Sequence, residues 1–225
     1  MTSLHIPDPA ERDDLGAFTA RVVRLDRTAP VRLSAHAGRI MAWAPTPFDV
    51  LATRSVRGTL DPQDVTVGAA GLLTALAVER SAVVDPGPDG GMWLGELPPF
   101  TGWTPVGDVS AVELERLIER GLAVARENAG QLGPPASLLD QTVLTVRGEG
   151  AGVGGQVTVK VPLRCLFALS GMGFLGAMVG GEGGEGGETD TDVVRISATG
   201  SWLRLDARFG AVVRRRITTL PLVVA

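Results

Sequence analysis

The sequence predicts an α+β fold in which antiparallel sheet packs against helices, arranged as two similar subdomains of the kind that pair about a pseudo-dyad. Three observations carry this. Short alternating segments separated by glycine or proline occur in both halves, amphipathic helical stripes lie between them, and two sequence patterns recur across the halves. With 225 residues, 44% of them hydrophobic, the chain can bury a substantial core.

The first helix is expected from Asp13 to Leu25, because Leu15, Phe18, Val22 and Leu25 recur at three- and four-residue steps. "VRLSAHAG", "RIMAWAP" and "FDVLATRSVRG" then read as an antiparallel meander, followed by a short strand in "DVTV" and a helix in "GAAGLLTALAVER". From Ser81 to Gly107 proline and glycine break both periods, so this stretch is expected to be a loop pinned to the body by Trp93 and Trp103. The boundary is placed there: an N-terminal α+β subdomain over 1–107, with its Pro/Gly-rich loop at 81–107, and a C-terminal one over 108–225. Ser110 with Glu113 has capping-box spacing before a stripe of Leu114, Leu117, Ile118, Gly121, Leu122 and Ala125. "PPASLLD" predicts a short helix, "TVLTVRG" and "QVTVKV" two strands, and Pro162 the first turn of a helix through "LRCLFALSGMGFL". "GGEGGEGGETDTD", 180–192, reads as a flexible tether. Strand-like segments close the chain.

"SVRGTLDPQDVTV" and "TVRGEGAGVGGQVTV" share V-R-G followed by V-T-V, with a helix expected after each. Gly150, Gly152 and Gly155 have the spacing of a dinucleotide loop, but they lead into β-branched "QVTVKV" where such a loop must open a helix facing the phosphates. The first copy has no glycine array, and no acidic residue lies between Lys160 and Gly181 to hold a ribose. A connecting turn is expected, with no cofactor. A second match joins Val31-Arg32-Leu33-Ser34-Ala35 to Val194-Arg195-Ile196-Ser197-Ala198 in permuted order: the first copy precedes its V-R-G and V-T-V segment, the second follows.

Net charge is −4 and the pI about 5.3, which argues against nucleic acid and anionic membranes as partners of the whole surface. Lys160 is the single lysine, Asn128 the single asparagine and tyrosine is absent, a bias expected of a GC-rich genome. Cys165 is alone in an apolar run, the N-terminus lacks a secretory pattern, and "CLFALSGMGFLGAMVGG" is short and glycine-rich for a membrane span. A cytoplasmic location and a buried helix are expected.

The segments "RVVRLDRTAPVRL", "PFDVLATRSVRG", "LLD" at 138–140, "MGF" at 172–174 and "WLRLDARFGAV" resemble a family of uncharacterised actinobacterial proteins over most of the chain. The resemblance implies no activity, cofactor or catalytic residue.

His5, His36 and Cys165 are too far apart for the close ligand pairs of a zinc site, so no metal is expected, and His36, the one histidine that could serve a nucleophile triad as base, is expected to be an exposed strand-end side chain instead. The acidic clusters suit a helix N-terminus or the tether better than proton transfer. The candidate site is the C-terminal hairpin, where alternation turns Arg204 and Arg208 outward and Arg214 and Arg216 are expected to join them beside Trp202 in one basic patch. This predicts a non-catalytic binding or assembly module, for a protein partner or self-association, with a flat patch. The alternative is an enzyme for a small anionic metabolite, with a deep pocket beside Trp202 between the halves.

Overall fold

The structure is a computed structural model that describes residues 2–79, 81–90, 93–130, 134–149, 156–175 and 193–216. The N-terminal half contributes β1 (Ser3–His5), α1 (Pro9–Leu25), β2 (Pro30–His36), β3 (Arg39–Pro45), β4 (Leu51–Arg57), β5 (Thr59–Asp61), β6 (Asp64–Gly68), α2 (Ala69–Val78) and β7 (Val83–Val84). The C-terminal half contributes β8 (Thr104–Ser110), α3 (Ala111–Glu127), α4 (Ala136–Leu139), β9 (Thr142–Glu149), β10 (Gln156–Pro162), α5 (Leu163–Gly171), β11 (Val193–Ala198), β12 (Trp202–Ala207) and β13 (Gly210–Arg215). The nucleotide-like stretch 150–155, the tether at 180–192 and the chain end after Arg216 lie outside the described residues.

Two local rules shift the expected helix boundaries. α1 begins at Pro9, four residues before the expected Asp13, because the Asp8 side chain accepts from Ala10 N at 2.9 Å and Pro9 occupies the first turn. α3 starts where expected, but Ser110 makes no side-chain cap, and the capping box is not formed. Its backbone is instead paired with Val193 as the last residue of β8, so the strand fixes the entry to the helix.

Eight strands form one antiparallel sheet in the order β6-β2-β3-β4-β13-β12-β11-β8. Read inward from either edge, the connectivity is the same: a strand that feeds a helix, then three strands of a meander preceded by a helix. The two meanders meet at β4 and β13, where Leu51, Ala52 and Thr53 oppose Val213, Val212 and Ala211. The halves are thus two similar subdomains related by a topological two-fold. The segments Val31–Ala35 and Val194–Ala198 occupy equivalent places, β2 and β11, one strand in from each edge. The V-R-G and V-T-V segments do not: the first V-T-V is the edge strand β6, whereas the second lies in β10, paired only with β9 in a separate two-stranded sheet.

The helices cover one face, α1 against α2 and β4, α3 against α5 and β8. Leu33, Ile40, Ala52, Leu205, Val212 and Ile196 project from the strands into this layer, fully buried with Phe18, Leu72, Leu114 and Leu166 of the helices. α3 and α5 approach closely at Gly121, where an added Cβ would stand 2.5 Å from Leu163 Cδ1. The other face carries a second cluster of Trp43, Trp202 and Val213, covered by Trp93, Leu97 and Trp103 from the proline-rich loop, as the loop-pinning expectation requires. No helix among the described residues is long and apolar enough to cross a membrane.

Gly58 joins β4 to β5 beside the N-terminal strand, and a Cβ there would lie 2.4 Å from the His5 carbonyl oxygen and 2.8 Å from Ile40 Cδ1. The first of these is backbone and cannot swing away. Gly58→Ala is expected to destabilise the protein by about 1–3 kcal/mol, the usual cost of overpacking a formed core, and chemical denaturation of the two proteins checks it.

Candidate functional site

The β12–β13 hairpin does not form the single four-arginine face. Its turn holds only Arg208 and Phe209, with Ala207 opposite Gly210, so Leu203 pairs with Arg214 and Trp202 with Arg215. Directly opposed residues share a face. Arg214 therefore projects with Leu203 and Leu205 on the helix side, while Arg204 lies on the other. Arg204 is held by Asp206, its Nε donating to Oδ1 and Oδ2 at 2.8 and 2.9 Å, and its guanidinium sits 5.7 Å from the Trp103 ring centre. Arg208 is exposed in the turn, 5.3 Å from the Phe209 ring centre. Arg216 donates to the carbonyls of Thr199 and Thr158 at 3.0 and 3.4 Å. Trp202 is buried beside Trp43, and Arg215, missed by the sequence reading, is the exposed arginine of its pair, bound to Glu96 at 2.9 Å. The parity of a two-residue turn is the signal that identifies it.

What these residues do form is a cleft of about 530 Å3 between the halves. One wall is the β3–β4 turn, the opposite one the end of β13 with Arg214, Arg215 and Arg216, and the loop at Trp93–Glu96 closes a side. The β3–β4 turn is built to present Asp49: Thr46 Oγ1 donates to Val50 O at 2.7 Å, and Asp49 adopts φ 56°, a left-handed conformation that aspartate tolerates better than most side chains. Trp93 and Trp202 give the cleft an apolar floor, and the Trp93 indole nitrogen is buried without a hydrogen-bond partner among the described residues.

Beneath the cleft lies a four-charge cluster drawn from both halves. Arg164 of α5, 7% exposed, donates to Asp140 at 2.8 Å, to the Phe48 carbonyl at 2.9 Å and to Asp49 at 3.4 Å. Arg214, 13% exposed, reaches the same two carboxylates at 3.1 and 3.5 Å. Burial alone would raise the Asp140 carboxyl, but the hydrogen bond and charge of Arg164, then those of Arg214, hold it below its ordinary value. Next to Arg164, burial pushes the Cys165 thiol up to about 12 despite the neighbouring arginines, so the cysteine is a core residue, as expected.

His5 pairs in β1 with Thr59, and His36 stacks on Phe100 with ring centres 4.9 Å apart. The structure brings neither histidine together with Cys165. Among the described residues, no group of three or more histidine, cysteine or acidic side chains is placed to hold a metal.

Asp140→Ala leaves Arg164 buried with the Phe48 carbonyl and, as ion-pair partner, only the exposed Asp49, and a loss of about 3 kcal/mol is expected, the low end for a broken buried pair because Asp140 is itself partly exposed. Since the folded carboxyl is the more acidic, its contribution is complete above the unfolded value of about 4 and is lost as pH falls through the lower folded one. Melting curves of wild type and Asp140→Asn are expected to converge below that pH. Cys165 is expected to react with a disulfide reagent only as fast as the chain unfolds, which a comparison of labelling with global hydrogen exchange checks.

Residues 1–95 match a family described as a domain of unknown function, DUF8010, and residues 98–219 one described as a domain of unknown function, DUF8185. A comparison with curated proteins finds no match. Among solved structures, the fold is similar to a putative DNA polymerase III beta subunit from Eubacterium rectale (TM-score 0.54, 13% identity, 98% of this chain and 66% of that one). It is also similar to the DNA polymerase sliding clamps of Bacillus subtilis (0.54, 11%, 98% and 65%) and Pseudomonas aeruginosa (0.51, 15%, 94% and 64%). At such identities the likeness is one of fold, and the chain spans just under two thirds of the length of these clamp proteins. Since residues 98–219 make up more than half of the 225, the chain belongs to the DUF8185 family.

Proposed function

We propose that the protein works by non-catalytic binding, as an interaction or assembly module, and that the cleft between its halves receives an acidic, partly apolar segment of a protein partner or of a second copy. The observation that carries this is the cleft itself: a tryptophan floor for apolar side chains, with Arg215 and Arg216 at its rim on a chain of net charge −4. Its two carboxylates, Asp49 and Glu96, are already bound to arginine. The clamp-like fold supports the reading, since the similar structures are named as sliding clamps and polymerase subunits, parts of an assembly. In this proposal the five hairpin residues keep unequal parts. Trp202, Arg214 and Arg216 line the cleft, whereas Arg204 and Arg208 lie outside it. The halves act as two units joined through the proline-rich segment 81–107, in the cytoplasm of an actinobacterium.

Protein is favoured over nucleic acid by the charge of the helix layer. α1 carries Glu11, Asp13 and Asp14 against Arg12, Arg21 and Arg24, and α3 carries four glutamates against three arginines, so the layer as a whole offers no positive field to a phosphate backbone. One observation favours a second reading: the site is concave and not the flat patch expected for a docking face, and its volume suits a small anionic metabolite.

The test is tryptophan fluorescence of the wild type and of Arg215→Glu, titrated with acidic peptides that contain leucine or phenylalanine, with small di- and tricarboxylates, and with single-stranded DNA at two salt concentrations. The proposal expects the peptides to perturb Trp93 and Trp202 emission and to bind at least about tenfold more weakly to the variant. A response to the carboxylates alone supports the metabolite reading, and strongly salt-dependent DNA binding would overturn both.

A further inference from the structure

At the opposite end of the β12–β13 hairpin from the cleft, three elements of the helix-covered side bring guanidinium groups together. Ala52, Arg54 and Val56 alternate with Leu51, Thr53 and Ser55 along β4, so Arg54 turns toward α1, where it is ion-paired with Asp14. It also donates to the Arg208 carbonyl at 3.4 Å. α1 adds Arg21 and Arg24 from adjacent turns of one helix face. Arg21 lies 5.1 Å from the centre of the same Phe209 ring that Arg208 approaches from 5.3 Å. Gly173, in the turn after α5 at φ 62°, lies against both side chains: the position a Cβ would take is 3.6 Å from Arg24 Nη2 and 3.8 Å from Arg21 Nε, so the two guanidiniums converge there. Arg24 spends one donor on the Gly171 carbonyl, at 2.8 Å.

The arginines of the two hairpin strands have carboxylate partners. Arg204 has Asp206, Arg214 has Asp140 and Arg215 has Glu96. Arg21 and Arg24 have no ion-pair partner among the described residues, and Asp14 is engaged by Arg54. Consistent with that crowding, burial and then the charges of Arg24 and Arg54 lower the proton affinity of Arg21. Planar forks converging beside a glycine turn match an acceptor that carries several oxygens and more than one negative charge.

We propose that Arg21 and Arg24, converging beside Gly173 with Arg54 behind them, form a binding site for a multiply charged oxyanion of the phosphate type. It is a second site, independent of the cleft. Free inorganic anions and the phosphoryl group of a larger molecule present the same chemistry.

The experiment is calorimetry and thermal melting of the full chain with sodium pyrophosphate, inorganic phosphate and glycerol 3-phosphate, each against sodium chloride of equal ionic strength. Arg21→Met keeps the aliphatic stem on Phe209 and removes the charge. The wild type is expected to bind pyrophosphate saturably and to melt higher in it, while Arg21→Met melts no lower than wild type without anion and binds at least about tenfold more weakly. Glycerol 3-phosphate binding as well as inorganic phosphate assigns the site to phosphoryl groups of larger molecules; preference for the inorganic anions assigns it to free ones. A wild-type response no greater than that to sodium chloride overturns the proposal. So does equal loss of binding in Arg116→Met, on α3. Should Arg21→Met fold poorly, Arg24→Lys keeps the charge and loses the fork, and undiminished pyrophosphate binding to that variant overturns the proposal equally.

Discussion

The eight-stranded sheet exists because β4 and β13 pair, and that pairing rests on three opposed residue pairs. So short a ladder is weak by itself, since cross-strand contacts contribute only fractions of a kcal/mol each. Its strength comes from what flanks it. On the helix side, Arg164 and Arg214 tie the β3–β4 turn to α4 and α5 through Asp49 and Asp140. On the other side, Trp43 of the first half and Trp202 and Val213 of the second share one apolar cluster under the proline-rich loop. An ion cluster around a buried arginine is seldom the most stabilising way to fill such a position, but it is demanding about geometry. Arg164 satisfies a carbonyl and two carboxylates only when both halves are in register.

The same constraint explains why the cleft lies where it does. A two-fold topology brings the two meanders together side by side, but the elements at their ends differ: the first half supplies the β3–β4 turn, the second the C-terminal end of β13. The two-fold therefore breaks at the strand ends and leaves a concavity. The arginines of β13 then divide by parity, Arg214 inward to the charge cluster and Arg215 outward to Glu96. One strand supplies both the cement of the junction and the rim of the site.

Much of the architecture was legible in the sequence because it rests on periodicity. The stripe of α3 buries Leu114, Ile118 and Ala125 as its spacing requires, and the Val31 and Val194 segments occupy equivalent strands. The V-R-G and V-T-V match misled because short β-branched segments fit any pleated surface and do not encode which neighbour they pair with. The hairpin face misled for a sharper reason. Alternation fixes the faces within a strand, but the turn length fixes how the faces of two strands correspond, and a two-residue turn sets odd residues of β12 beside even residues of β13. Counting arginines along the chain could not show that Arg204 and Arg214 lie back to back.

Composition misled more subtly. A near absence of lysine invites the view that arginine merely replaces it, and on a solvated face that would hold. Here many guanidiniums act as forks and not as point charges: Arg24 closes the Gly171 carbonyl, Arg164 joins a carbonyl to two carboxylates, and Arg216 bridges two backbone oxygens from different elements. An ammonium group has no planar array of donors to make such bridges. Several of the positive charges counted in the sequence are therefore engaged within the molecule. The two places at opposite ends of one hairpin therefore differ: at the cleft rim Arg215 is paired with Glu96 and Arg216 with two carbonyls, whereas Arg21 and Arg24 of α1 have no carboxylate partner among the described residues.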